Sequence, residues 1–397
     1  MKLLQVNITA NWGSHGRIAE EIGQLVISQG WESYIAYGRI ANPSKSHLVH
    51  IGSMADERLH GFQSRLFDNH GLGSVRVTKS FIKQIDAISP DIIHLHNIHG
   101  YYLNYPILFD YLSKLDVPVV WTLHDCWAMT GHCAFFTFAN CDKWKNGCHH
   151  CENKQSYPKS LLFSRSHRNY TLKQRCFTSV RNLTLVPVSQ WLADIVKDSF
   201  LSKYPVNMIH NGVDLSRFRV QETKSLSSGR KMLLGVGSVW EPRKGLTDFV
   251  KLRQLLDDSY EIVLIGLTQK QIDSLPAGIH GIARTNNIDE LVQYYNKADV
   301  FVNPTYEDNF PTTNIEALAC GAPVITYNTG GSPEAVDTNT GLVVEYGNIN
   351  TLAEGIRSIC NYANTEERRL LCRQRAERFF NKNERYQQYI DLYSKLV

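Results

Sequence analysis

Short apolar runs rich in β-forming residues punctuate this chain, and stretches with helical spacing lie between them. In the first half the runs fall at residues 3–8, 34–37, 91–95, 117–123 and 183–188. The first run leads into a glycine-bearing turn (Gly13, Gly16), and then Ile18, Ile22, Leu25 and Val26 recur as on one helix face. The second half repeats the pattern, with runs at 232–236, 261–265, 300–302 and 324–327. Its helical stretches fall at 247–256, 288–297 and 313–319. Unbroken apolar strands suit a parallel sheet covered on both faces, and strands alternating with helices form βαβ units. The prediction is an α/β chain of two parallel-sheet domains, at 1–208 and 209–379. Asn211-Gly212 followed by Asp214 marks the crossover, and the polar stretch 221–229 reads as a surface loop. The tail from 366 is charged and helical in pattern, and its end, 380–397, is expected to pack back on the first domain.

Length supports two domains, since 397 residues exceed what one hydrophobic core usually sustains. With 43% apolar and 20% charged residues the chain belongs with globular proteins rather than disordered ones. No apolar stretch approaches the roughly 18 residues a membrane-spanning helix requires. The start lacks the long apolar region of a secretion signal, so the chain reads as cytoplasmic. Nine cysteines in that setting are expected as thiols or metal ligands. The net charge of +4 is uneven: residues 1–200 hold 20 Lys/Arg against 15 Asp/Glu and 13 of the 15 histidines, against 22 and 23 in the remainder. The first half is therefore expected to meet an anionic partner, and no nucleic acid is expected.

Two stretches carry candidate chemistry. Residues 303–321 run from a strand end through a polar loop into a helix starting near Thr312. Ligands of such folds bind at the carboxyl ends of parallel strands. Backbone N–H groups of Thr312, Thr313 and Asn314 would face a diphosphate, aided by the helix dipole. Glu316 would accept from ribose hydroxyls, and Asp308 would lie beside a sugar ring. Taken alone, they also fit an ordinary first-turn acid and a loop turn residue. In the second stretch, residues 235–245, a strand ends in glycines and Arg243 and Lys244 precede a helix, where two cations suit a leaving diphosphate. Alone, that stretch is equally a solvated basic turn.

The ordered set G-V-G-S…R-K-G, A-D-V-F-V-N-P-T…E-D-N-F-P…E-A-L-A-C-G-A-P-V-I and G-G-S-P-E…T-G-L-V spans the second half. V-S…N-G-V-D…F near 188–218 and the opening G-S-H-G-R-I-A-E-E precede it. Together they resemble the retaining family-4 glycosyltransferases of the GT-B fold, over nearly the whole chain. The resemblance implies two Rossmann-like domains facing across a cleft, the donor bound mainly by the second and the acceptor mainly by the first. It also implies retained anomeric configuration without a catalytic divalent metal, and no D-x-D occurs in the sequence. Glu316 matches the second of the family's paired acids. The first position is Asp308, preceded by Glu307, and which of these contacts the sugar stays open. Ser238, after Gly237, stands where the family has arginine; Arg243 is the candidate substitute, and Lys244 matches the family lysine. Asn309, Phe310 and Pro311 complete the donor loop, and backbone near Ile282 and Arg284 would meet the base. Gly13, Gly16 and Arg17 would line the cleft near the transferred sugar and diphosphate.

In the first domain His124 matches a family histidine that faces the donor sugar. His96, His99 and Tyr102 are placed on the acceptor side. The leaving phosphate would itself take the acceptor proton, so no protein base is assigned. A dinucleotide-dependent oxidoreductase is disfavoured, because the G-x-G beginning at Gly235 meets Trp240 where a third glycine is needed. A nucleotide-sugar 2-epimerase of similar fold, or a non-catalytic nucleotide-sugar-binding module, is the alternative. The expected partners are a UDP- or GDP-linked sugar and a saccharide acceptor, lipid-linked in the capsule or O-antigen manner. Lys143, Lys145, Lys154, Lys159, Arg165, Arg168, Lys173, Arg175 and Arg181 suggest peripheral contact with an anionic membrane, at the inner face of the cell membrane. Trp144, Tyr157, Phe163, Tyr170 and Phe177 are interleaved with them. No catalytic cofactor is expected. Cys133, Cys141, Cys148 and Cys151 end in C-x-x-C and are candidate ligands of a structural zinc, with His132, His149 and His150 as substitutes. The alternative is a set of reduced cysteines that never meet.

Overall fold

The computed structural model describes residues 1–221, 229–361 and 365–397, so the expected loop at 221–229 lies, over 222–228, outside the described residues. The chain divides into two compact units, Met1–His210 with Tyr386–Val397, and Asn211–Arg385.

In the first unit β1 (Lys2–Asn7), β2 (Glu32–Tyr37), β3 (His47–His50), β4 (Ile92–Leu95), β5 (Val119–Leu123) and β6 (Leu183–Pro187) form one sheet, ordered β3-β2-β1-β4-β5-β6. Every pairing is parallel. β4, β5 and β6 are buried at every position, as their continuous apolar runs require. The helix Gly13–Ser28 buries Ile18, Ile22 and Val26. They join Leu3, Ile92, Val120 and Val186 of the strands in a core that the end of the chain completes with Tyr386, Tyr389, Ile390 and Tyr393.

The second unit repeats the plan with β7 (Lys231–Val236), β8 (Tyr260–Ile265), β9 (Ile279–Ile282), β10 (Val300–Asn303), β11 (Val324–Tyr327) and β12 (Gly341–Val344), ordered β12-β11-β10-β7-β8-β9. These pairings are parallel too. The α/β architecture of two parallel sheets is thus the one the periodicity predicts. The apolar pattern does not reveal β3, β9 and β12, which all stand at sheet edges. These three edge strands are only partly covered and need no continuous apolar run; β3 has no buried position at all. No helix among the described residues is long and apolar enough to cross a membrane.

The last helix, Lys382–Leu396, is fastened by polar contacts inside the first unit's core. Tyr393 OH lies 2.6 Å from His94 Nδ1, and Tyr389 OH accepts from Thr122 Oγ1 at 3.2 Å. Replacing Tyr393 with Phe leaves a buried ring nitrogen unmatched, so Tyr393→Phe is expected to destabilise the first unit by about 1–3 kcal/mol. Urea unfolding measures this, and a loss below about 0.3 kcal/mol would show the bond to be dispensable.

Candidate active site

At the carboxyl ends of the adjacent strands β7 and β10, two loops of the second unit are locked together. After β7 a 3-10 turn, Pro242–Lys244, precedes the helix Leu246–Leu255. Gly245 joins them at φ +76°, and a Cβ there would stand 2.2 Å from the Pro304 carbonyl oxygen. Only glycine permits that approach, which brings the basic turn against the loop after β10. The Arg243 carbonyl then accepts from the Tyr306 N–H at 2.8 Å, and its guanidinium donates to the Glu307 carbonyl at 3.1 Å. Arg243 also pairs with Glu241 at 3.0 Å. Lys244 donates to Asp308 in an ion pair whose two side chains are about a fifth to a quarter exposed. Gly330 closes the other side of the loop: at φ +53°, its Cβ would fall 1.8 Å from the Asp308 carbonyl oxygen.

Glu307 and Asn309 are buried, as are Phe310 and Pro311. Of the two acids left open by the sequence, Asp308 is the partly exposed one. The helix Thr312–Ala319 begins after Pro311 with no side-chain cap. Thr312 and Thr313 are partly exposed, whereas Asn314 is buried. Its N–H bonds the Pro311 carbonyl at 3.2 Å, and its side chain joins Asn303 (2.8 Å) to Ser332 Oγ (3.1 Å). The Asn314 side chain therefore sets the helix against its neighbours. Glu316 is partly exposed and accepts from Tyr295 OH at 3.0 Å. Gly237 is partly exposed and Ser238 exposed. Arg284 is exposed, and the Ile282 carbonyl accepts from the Gly266 and Leu267 N–H groups.

Sequence reasoning missed Asp248. Buried in the first turn of its helix, it accepts from Tyr306 OH at 2.7 Å and Tyr327 OH at 2.8 Å, anchoring the loop from beneath. Its spacing after the R-K-G turn was the available signal.

In the first unit the strand ends gather histidines. His96 Nδ1 lies 3.2 Å from His124 Nε2, and its Nε2 lies 3.1 Å from Gln5 Oε1. His96 and Tyr102 are buried, and Tyr102 OH donates to the Asn97 carbonyl at 2.8 Å. These two expected acceptor-side residues thus support their neighbours from inside. His124 is partly exposed, and the His15 ring lies 5.9 Å from it, centre to centre. Asn7 Nδ2 donates to His15 Nδ1 at 3.1 Å. Gly13 opens the first helix at φ +68° with open space around it, and Arg17 Nε donates back to its carbonyl at 3.1 Å. Gly16 is buried against Thr9. His99 stands between Asp125 (2.9 Å) and Tyr157 OH (3.0 Å). His96, His99, His124 and Asp125 line one recess. Asp125 follows His124 directly in the sequence; nothing local announces Tyr157.

The nine cysteines are all free thiols. Cys133 and Cys148 are buried, Cys141 and Cys151 partly so, and the Cys133 and Cys151 thiols share a hydrogen bond. Among the described residues no three His, Cys, Asp or Glu side chains already stand gathered as a metal-holding group. The expected membrane patch changes in content. Lys173 is buried, with Nζ donating to the Trp127 and Thr130 carbonyls at 2.6 and 3.0 Å, and cannot meet a bilayer.

Residues 16–217 match the model described as Glycosyltransferase Family 4, and residues 230–361 the model described as Glycosyl transferases group 1. WcaC of Escherichia coli (strain K12), named as a colanic acid biosynthesis glycosyl transferase, is 26% identical over 370 residues, covering 87% of each chain. The N,N'-diacetylbacillosaminyl-diphospho-undecaprenol alpha-1,3-N-acetylgalactosaminyltransferase of Campylobacter jejuni is 27% identical over 186 residues, covering 44% of this chain and 47% of that one. Among solved structures, sucrose-phosphate synthase of Thermosynechococcus elongatus superposes with a TM-score of 0.73 at 17% identity, covering 100% of this chain and 98% of that one. The Anabaena HepE structure with UDP-glucose gives 0.66 at 14%, covering 100% of both. These likenesses establish the GT-B fold.

Four histidines of the first unit are held neutral. Burial first, then the neighbouring His99, lowers His15 to about 4, and burial keeps His94, His96 and His124 well below their ordinary value. Asp125 stays below the usual carboxylate value, because His99 and the Trp127 N–H outweigh the raising effect of burial. For a histidine so depressed the unfolded chain takes up the proton first. Its contribution to stability is complete above about pH 6.5 and is lost as pH falls toward the folded value. The thermal midpoint of the first unit is therefore expected to drop between about pH 7 and pH 5. A flat profile over that window would mean these rings do not stay neutral.

Proposed function

This chain belongs to the glycosyltransferases, and we propose that it moves a sugar, with retention of configuration, from a UDP- or GDP-linked donor to a saccharide acceptor in cell-surface polysaccharide assembly. The observation that carries this reading is the lock between the Arg243-Lys244 turn and the loop 304–311 at one end of the second unit's sheet. A departing diphosphate needs fixed cations and N–H donors more than it needs a base. Lys244 and Arg243 supply the charge, and the uncapped start of the helix Thr312–Ala319 supplies the donors. Glu316, oriented by Tyr295, takes the ribose hydroxyls. Lys244 is paired with Asp308, so a diphosphate drawing the lysine would release the carboxylate toward the sugar hydroxyls. On the first unit, neutral His124 offers a hydrogen bond to a sugar hydroxyl without adding charge, and His99, positioned by Asp125, serves the acceptor. The name of the colanic acid relative supports polysaccharide assembly, and that of the diphospho-undecaprenol relative supports a lipid-linked saccharide acceptor.

A lipid-linked acceptor calls for a chain that can sit on a bilayer. The helix Met54–Phe67 turns Met54, Leu59 and Phe62 outward beside Arg58 and Arg65. Leu161 and Leu162 are exposed too, and the Leu161 N–H bonds the Arg65 carbonyl at 2.7 Å. Phe67 stacks on Phe163, their ring centres 6.1 Å apart. Exposed apolar side chains ringed by arginine suit an anionic membrane surface better than the basic run alone.

Arg243→Ala, Lys244→Ala and Glu316→Ala are each expected to lower transfer about 10- to 150-fold with the fold intact, the equivalent of one charge-assisted contact of about 1.5–3 kcal/mol. Wild-type turnover in all three would overturn the donor assignment. Labelled nucleotide sugars decide the reaction: label must pass to a saccharide acceptor and the anomeric linkage must match the donor's, whereas label returned only as an epimer, or none moved, refutes transfer. Turnover is expected to persist when EDTA is added to the assay. In liposome flotation, anionic vesicles are expected to recover more protein than neutral ones, and Phe62→Ser with Leu162→Ser to lose the difference; equal recovery by both lipids refutes membrane contact.

A further inference from the structure

Residues 131–165 have a three-residue 3-10 turn, Lys143–Lys145, as their only regular structure, yet bury Cys133, Trp144 and Cys148. So long a segment inside a compact unit needs a tie beyond its own hydrogen bonds. His132 supplies an independent sign of what that tie is. Its ring is 1% exposed, and Nδ1 lies 2.6 Å from Oδ1 of the equally buried Asp68. The other Asp68 oxygen accepts the Arg165 N–H at 2.6 Å, so the carboxylate is fixed in place. With Nδ1–H given to a carboxylate, the lone pair falls on Nε2, and that buried atom has no hydrogen-bond partner. A carboxylate behind an imidazole is how proteins orient a histidine toward a metal. The Cys133 and Cys151 thiols share a hydrogen bond, Cys148 lies within electrostatic reach of Cys133, Cys141 and Cys151, and His132 lies within reach of Cys151. Several soft ligands and one oriented imidazole therefore occupy one neighbourhood of the first unit.

We propose that this neighbourhood is a structural zinc site, with Cys133, Cys148 and Cys151 as thiolate ligands and the fourth place taken by Cys141 or by His132 Nε2. Tetrahedral sulfur and imidazole coordination is the preference of zinc. The groups are near one another without being gathered on one point, so binding draws the side chains inward, and each ligating thiol releases its proton to water. The ion ties the segment that also presents Tyr157 to His99. Its role is to hold that segment, and it takes no part in the transfer reaction.

Protein purified without a metal-affinity column is expected to carry about one zinc per chain by elemental analysis. Cys133→Ser and Cys148→Ser are expected to lose it, while Cys176→Ser, whose thiol lies outside the segment, keeps it. Because a serine variant can simply misfold, the wild-type chain is also stripped and titrated with cobalt(II). Thiolate-to-cobalt charge-transfer absorption should appear and be abolished by added zinc. Zinc lost in Cys141→Ser but kept in His132→Gln gives the fourth place to Cys141, and the reverse gives it to His132. Wild-type protein with less than about 0.2 zinc per chain and no cobalt–thiolate absorption overturns the proposal, as does iron in place of zinc.

Discussion

A parallel strand covered on both faces has no water along its length, so each polar side chain on it must be satisfied inside or sit where the strand ends. Both units obey this constraint, and their chemistry is arranged by it. β4 carries His94 inside the sheet, where Thr122 and Tyr393 occupy its two ring nitrogens. Toward the carboxyl ends His96 keeps internal partners while it borders a recess, and His99, His124 and Asp125 line that recess beside it. Satisfaction inside and function outside are successive positions of the same strands.

The second unit meets the constraint differently. Its loops lie at the ends of neighbouring strands, β7 and β10, and two glycines decide how closely they approach. At Gly245 and Gly330 any side chain would overlap a backbone oxygen, of Pro304 and Asp308 respectively. Without those approaches Arg243 could not reach the Glu307 carbonyl, nor Lys244 the Asp308 carboxylate. Asp248 completes the arrangement from below by holding Tyr306 and Tyr327. The proposed diphosphate site, made this way, is stiff before a ligand arrives, which is what electrostatic stabilisation of a leaving group requires.

The strongly buried histidines have a further consequence. They act as neutral hydrogen-bonding groups, so acid works against the first unit through its core as well as through its surface. The same unit buries Lys173 against Trp127, and the Asp68–His132 pair that ties its long irregular segment to Asp68. Buried polar groups as a rule find a partner, and His132 Nε2, like both ring nitrogens of His70, is among the buried side-chain atoms of the described residues that have none.

Much of the fold was legible along the chain, because central parallel strands advertise themselves as unbroken apolar runs and their helices by one-sided spacing. β3, β9 and β12 were not, since these edge strands, unlike the fully buried edge strand β6, are only partly covered. Within the site, the R-K-G turn and the loop into Glu316 were legible as motifs, because glycine, helix starts and charge sit at fixed local spacings. What the sequence could not state is which polar groups face outward. Asn314, His96 and Tyr102 turned out to be internal supports, and Lys173 a buried cation, although their residue types suit a ligand or a membrane equally well. Asp125, Tyr157, Tyr295 and Asp248 act through partners distant in the chain or through burial, and a one-dimensional pattern holds no record of either. Periodicity and local spacing are properties of neighbouring residues, and so the sequence determined the elements and the motifs. Orientation and pairing depend on what folds against each side chain from elsewhere, and only the tertiary structure decides that.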